Sequence, residues 1–147
     1  MKKNLSVVLS VILTAFALTG CYPTSLVDQQ RDMNAAKGEE AAKKILELDV
    51  MPTAIFCAND LLALGVMRAL LANKVRIPEQ VSVLGYDNIE FAPSAAVPLS
   101  SIAQPSYQMG VTAADLLLNE CEDGENHEHQ QIRFQPQLVE RASTGKR

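Results

Sequence analysis

Between Pro52 and Gln104 the chain alternates short apolar runs with polar clusters, and this rhythm restricts the fold more than any other feature. Thr53-Ala-Ile-Phe-Cys57 runs into Asn59-Asp60, Val81-Ser-Val-Leu84 into Gly85-Tyr86-Asp87, and Leu99-Ser-Ser-Ile-Ala103 into Gln104. The first two runs are β-branched or aromatic, with proline before and turn chemistry after, which marks buried parallel strands. Leu61–Leu71 lies between them with helical spacing, and Asp60 is placed to cap it. The order is strand, helix, strand. In open α/β sheets ligands collect beyond the carboxyl ends of the strands, where these clusters sit. An amide, a carboxylate, an aromatic ring and a second amide suit a small polyhydroxylated molecule better than a metal or a phosphate.

The same residues carry a family resemblance. Pro52-Thr-Ala-Ile-Phe-Cys-Ala-Asn-Asp60, Ala63-Leu-Gly65, Ile77-Pro78, Val81-Ser-Val-Leu-Gly-Tyr-Asp87, Pro98-Leu-Ser-Ser-Ile-Ala-Gln104, Met109-Gly110 and Leu138-Val-Glu-Arg-Ala-Ser-Thr144 resemble lactose-repressor (LacI) family regulators in order and spacing. Their effector-binding fold is shared with ribose-type periplasmic sugar-binding proteins. The resemblance runs from about Leu26 to Thr144. It implies an α/β fold: a three-layer α/β/α parallel sheet forming part of the C-terminal subdomain of a type I periplasmic-binding-protein-like unit. Relative to that family, no counterpart is expected here for the DNA-reading helix-turn-helix, the hinge helix, most of the first subdomain, or the opening strand and helix of the second. DNA contact would then come only through a helix-turn-helix that this sequence lacks.

The first residues read differently. Met1-Lys2-Lys3 is a basic start, Leu5–Leu18 is apolar, and Leu18-Thr19-Gly20-Cys21 resembles a bacterial lipobox. The expectation is a signal peptide over residues 1–21, cut before Cys21, whose sulfur takes a lipid anchor. The apolar run is shorter than the ~20 residues that span a bilayer. A start inside a truncated repressor gene, with a cytoplasmic product, is the competing expectation. Residues 22–34 read as a linker, 35–144 as the incomplete ligand-binding region and 145–147 as a tail.

Ala35–Leu48 has the pattern of an amphipathic helix, with Ala35, Ala41, Ala42, Ile45 and Leu48 toward the sheet. Tyr107–Cys121 reads as another helix, and Gln131–Phe134 and Gln137–Glu140 as short strands split by Pro136. A hydrophobic share of 48% in 147 residues is enough for one modest core. The formal charge of -4 argues against a nucleic-acid surface on this region. Three cysteines do not make a disulfide framework. His127 and His129 sit in a charged stretch without a third well-placed ligand, so neither a metal nor a cofactor is expected. Gly-x-Ser-x-Gly, a P-loop and a dinucleotide fingerprint are absent, so no enzymatic activity is expected.

On residue chemistry alone Asn59 is equally a turn residue, Asp87 loop chemistry after Gly85, and Tyr86 a core ring. The resemblance implies that Asn59, Asp87 and Gln104 contact a carbohydrate effector, with Tyr86 near the sugar face. It also implies a homodimer through Leu61–Leu71 and Ile89–Val97, for which Leu62, Met67 and Phe91 are the expected contacts. The functional expectation is the sugar-binding part of a LacI-type transcriptional regulator. Two other classes stay open: a membrane-anchored sugar-binding lipoprotein serving an ABC transporter, and a truncated chain that pairs with an intact homologue.

Overall fold

In the computed structural model the described residues are 33–123 and 130–146. In chain order they form α1 (Ala35–Leu46), β1 (Ala54–Phe56), α2 (Asp60–Ala72), β2 (Ser82–Tyr86), a 3-10 turn at Ala92–Ser94, β3 (Ser100–Ala103), α3 (Ser106–Asp123) and β4 (Gln137–Val139). The expected signal peptide over 1–21, most of the linker, and His127 and His129 lie outside the described residues.

Strand order is β1-β2-β3-β4. β1 pairs with β2 and β2 with β3 in parallel, with Ile55 opposite Val83 and Gly85 opposite Ser101. β4 returns antiparallel to β3, with Leu138 opposite Ile102. The sheet is therefore mixed where a parallel one was expected. Gly85 and Tyr86 belong to β2 itself, so the polar step comes two residues later than the sequence suggested, at Asp87. The strand expected at Gln131–Phe134 does not form, and residues 130–136 carry no regular element.

α2 organises the core. Ala63, Val66, Met67 and Leu70, at i, i+3, i+4 and i+7, are buried together with Ile55, Val81, Val83 and Leu99. Burying a side chain of this size contributes about 1.5–3 kcal/mol, so this face is a main source of stability. The opposite side of α2 receives α1. A side-chain carbon on Gly38 would overlap the Leu62 carbonyl, and one on Gly65 would overlap the Ala35 backbone. The missing side chains let the two helices touch backbone to backbone, and an Arg68–Glu39 ion pair joins them at the rim. α1 thus packs on α2 rather than on the sheet, with Gly38 and Ala42 buried while Ala41 and Leu48 are exposed. The physical reason is that α2 is apolar around most of its circumference and offers two packing faces.

α3 is different. Tyr107, Val111, Leu117 and Leu118 are all exposed, so its apolar stripe faces solvent among the described residues.

The Arg141–Thr144 segment closes the sheet. Ser143 is fully buried; its hydroxyl donates to the Val83 carbonyl at 2.6 Å and accepts from the Ser100 amide at 2.8 Å. Its own carbonyl accepts from the Val83 amide at 2.8 Å, and its amide donates to the Pro98 carbonyl at 2.9 Å. Ser100 and Thr144 share a hydroxyl–hydroxyl bond of 2.8 Å. Buried polar groups persist only when paired, and here four backbone or hydroxyl groups converge on one serine.

Candidate functional site

The carboxyl ends of β2 and β3 meet at one corner of the sheet. β2 finishes at Tyr86, and the chain then turns through Asp87 and Asn88 with φ of 101° and 52°. Left-handed backbone is unfavourable for residues with a side chain, and Asp and Asn tolerate it best. The turn is held on every residue. The Asp87 amide donates to the Ile102 carbonyl at 2.9 Å. The Asn88 amide donates to Ser101 Oγ at 3.0 Å, and the Ile89 amide to Asp60 Oδ2 at 2.8 Å. Ser101 Oγ in turn donates to Asp60 Oδ1 at 2.6 Å.

This arrangement presents Asp87 at the surface with Gln104 beside it. Gln104 Nε2 donates to Asp87 Oδ1 at 3.0 Å, joining two residues seventeen apart in sequence. Partial burial pushes the Asp87 carboxyl above the ordinary aspartate value; the bond from Gln104 opposes the shift and the Asp60 carboxylate adds to it. Tyr86 and Phe56 stack edge to face with ring centres 6.5 Å apart. Next to them is an open hollow of about 190 Å³ lined by Tyr86, Gln104, Pro105, Met109, Ile132, Phe134 and Pro136. The corner therefore combines a hydrogen-bonded carboxylate, a carboxamide and an aromatic and aliphatic wall. Such a surface accepts hydroxyl protons at the carboxylate and packs against the apolar face of a sugar ring.

Of the four residues expected to touch a ligand, the structure brings Tyr86, Asp87 and Gln104 together. Asn59 has a different local duty. It is the N-cap of α2, its Oδ1 accepting from the Leu62 amide at 2.8 Å while its Nδ2 donates to the Met33 carbonyl at 3.0 Å. Asp60, expected to be the cap, is instead the first residue of the helix and completely buried. Asn and Asp cap equally well, so adjacent residues of these types give no basis for choosing between them. Asn88, Ser101 and Arg141 shape the corner and were not singled out from sequence, and Asp60, which shapes it with them, was expected only as a cap. The available signal was a pair of serines inside an apolar strand and an Asn directly after Asp87, a residue type suited to left-handed backbone.

The expected dimer contacts divide as well. Phe91 is 68% exposed, as a contact residue should be, whereas Leu62 is half-buried against the core. Met67 is buried at 2% exposure, because its spacing places it on the sheet-facing side of α2. It belongs to the interior. Cys57 is buried and Cys121 exposed, both as free thiols. Burial, aided by the Asp60 charge, pushes the Cys57 thiol up to about 12.

The profile of the periplasmic binding protein-like domain family matches residues 9–144. The chain is 43% identical over 103 residues to the HTH-type transcriptional repressor PurR of Vibrio atlanticus, covering 70% of this chain and 30% of that one. Among solved structures it is similar to a LacI family transcriptional regulator from Enterococcus faecium with bound ribose. That match has a TM-score of 0.67 and 33% identity, over 76% of this chain and 40% of the other. It is similar also to a LacI family regulator from Lactobacillus casei with bound glucose, with a TM-score of 0.64 and 33% identity over 76% and 40% of the two chains. The chain spans about three-tenths of the length of the curated relatives it matches.

Proposed function

The chain belongs to the periplasmic binding protein-like family and corresponds to the effector-binding region of LacI-type transcriptional regulators, and from that premise we propose that its Tyr86–Asp87–Gln104 corner forms one wall of a monosaccharide site. The observation that carries this reading is the Gln104–Asp87 hydrogen bond at the joined ends of β2 and β3. It fixes one carboxylate oxygen and leaves the other to accept a ligand hydroxyl, with Tyr86 beside it to meet the ring. The bound ribose and glucose in the two similar regulators support a sugar over other polyhydroxylated ligands. Asn59 enters as a rim residue, whose Nδ2 would exchange its bond to the Met33 carbonyl for one to a ligand. In the whole regulator a sugar between two subdomains would favour one closed arrangement and shift the population that grips DNA. This region supplies one wall of that device.

The test is calorimetry, with chemical-shift mapping, of the full 147-residue chain against D-ribose and D-glucose. Because the wall is one-sided and ligand sites normally bury most of the ligand, affinity is expected in the millimolar range, near 4 kcal/mol of binding free energy. Shift changes should centre on Tyr86, Asp87 and Gln104, and Asp87→Ala should remove them. Micromolar affinity would refute the one-wall reading. Saturating sugar without any response at Asp87 and Gln104 would refute the carbohydrate reading.

A second reading rests on Leu18-Thr19-Gly20-Cys21: the chain is a lipid-anchored binding protein. Each buried acyl methylene contributes about 0.8 kcal/mol, so two or more chains make release slow. Intact mass after expression in a bacterial host decides it. Loss of the residues before Cys21 with added lipid mass, both abolished by Cys21→Ser, supports the anchor, and an unprocessed Met1 refutes it.

A further inference from the structure

The left-handed turn at Asp87–Asn88 has three anchors that come from distant parts of the chain. Asp60, at the start of α2, is completely buried and accepts the Ile89 amide on one oxygen and the Ser101 hydroxyl on the other. Ser101, on β3, accepts the Asn88 amide. Arg141 follows β4. Its guanidinium spreads across the corner, donating to Asn88 Oδ1 at 2.7 Å and to the Leu99 carbonyl at 2.6 Å. Gly85 leaves room for this, since a side-chain carbon there would overlap an Asp60 carboxylate oxygen. A non-glycine backbone with φ of 101° and then 52° persists only where its surroundings over-determine it. Here those surroundings are one buried carboxylate, one hydroxyl and one fixed, planar fork of donors.

We infer that Asp60 and Arg141 are positioning residues that hold the Asp87 carboxylate against Gln104, one from beneath the turn and the other across it. The inference deepens the carbohydrate-site reading and rests on it for the identity of the ligand. The hold itself is a property of the free chain. Asp60 fixes the backbone just after the turn, and Arg141 fixes the Asn88 side chain within it. Losing either one frees the turn to relax into ordinary backbone, which swings the Asp87 side chain away from Gln104 Nε2. Both act through the turn: Asp60 through the Ile89 amide and Ser101, Arg141 through the Asn88 side chain. The arrangement also ties the site to the segment that follows β4, since Arg141 is anchored through its own amide to Ser100 Oγ at 2.8 Å.

The test compares the full chain with Asp60→Asn and Arg141→Lys by amide hydrogen exchange and by the Gln104 side-chain amide resonance, with and without D-ribose. A lysine keeps the charge but cannot bridge Asn88 and the Leu99 carbonyl as a fork does. The expected result for Arg141→Lys is exchange at Asn88 and Ile89 faster by at least about fivefold, a shifted Gln104 side-chain amide, and unchanged exchange at Leu70 and Val83. Asp60→Asn should do the same more strongly. If it unfolds, the half-exposed Arg141→Lys carries the decision alone. Equal acceleration at Leu70, Val83 and the turn would show general destabilisation and overturn the inference, as would an unmoved Gln104 resonance in both variants. The exchange arm needs no sugar. A wild-type chain that ignores D-ribose while showing the localised exchange therefore refutes the carbohydrate reading and leaves the positioning role standing.

Discussion

Ser143→Ala removes one oxygen atom and leaves the volume of the buried pocket almost unchanged. That oxygen carries two bonds, 2.6 Å to the Val83 carbonyl and 2.8 Å from the Ser100 amide, in a residue with no exposed surface. Water cannot replace it. A buried group stripped of its partner costs about 1–3 kcal/mol, so the two backbone groups together set the loss at roughly 2–6 kcal/mol. Small domains have only about 5–15 kcal/mol in all, so the loss is a large share of the total. Thr144→Ala is the control, because the Thr144 hydroxyl makes a single 2.8 Å bond, to Ser100 Oγ, and is only half-buried. Its loss should be about 1 kcal/mol. Urea unfolding followed by circular dichroism reads both. With a slope of about 2 kcal/mol per molar urea, the middle of the usual range, Ser143→Ala should lower the midpoint by roughly 1–3 M with an unchanged slope. A midpoint shift no larger than that of Thr144→Ala would refute the argument that Ser143 is the centre of the closure.

Met67→Ala should cost about 2–5 kcal/mol in the same urea experiment while leaving self-association unchanged, whereas Phe91→Ala should do the reverse on light scattering. A thiol reagent at pH 8 should label exposed Cys121 in a Cys21→Ser background and leave Cys57 untouched until the chain is unfolded, since its thiol is buried and pushed up to about 12; mass spectrometry of the labelled peptides checks this. Replacing Leu117 and Leu118 of α3 by lysine should lower aggregation at tens of micromolar without changing the urea midpoint, because both side chains are already in solvent. Asp87→Asn separates stability from binding. The Asp87 carboxyl is raised in the folded chain, so the folded state holds its proton longer than the unfolded one. Stability then falls as pH rises through the window just above the ordinary aspartate value and stays level beyond it. At neutral pH the amide should leave the melting temperature equal or slightly higher while sugar-induced shifts disappear; a clear loss of stability would contradict this sign.

How much of this was legible in the sequence depends on whether a local pattern determined the answer. β1, α2, β2 and β3 follow from apolar runs with turn chemistry between them, and they appear within two residues of where the pattern puts them. Tyr86, Asp87 and Gln104 were readable as strand-end residues because a parallel sheet sends its carboxyl ends to one edge. The partition of duties between Asn59 and Asp60 was not readable. Both are good caps, and which one turns inward depends on Ser101 and the Ile89 amide, which are 41 and 29 residues from Asp60. The placement of α1 was misread for a similar reason. Its pattern shows an apolar face but not which surface receives it, and the backbone contact through Gly38 and Gly65 is a property of the pair. The partners of the two buried serines that open β3 also come from far along the chain: Arg141, Ser143 and Thr144 for Ser100, and Asp60 and Asn88 for Ser101.

The closure by Ser143 has a consequence for synthesis. Its hydroxyl bonds a carbonyl sixty residues earlier, at Val83, and an amide forty-three residues earlier, at Ser100. A ribosome adding about 5–20 residues per second makes α1, β1, α2 and β2 roughly 3–12 s before it makes the serine that pins them. During that interval the Val83 edge of the sheet stands open, with apolar strand exposed to neighbouring chains. Such contacts across long sequence separation also slow folding itself. The nascent chain should therefore depend on chaperones most in the seconds before Ser143 is added.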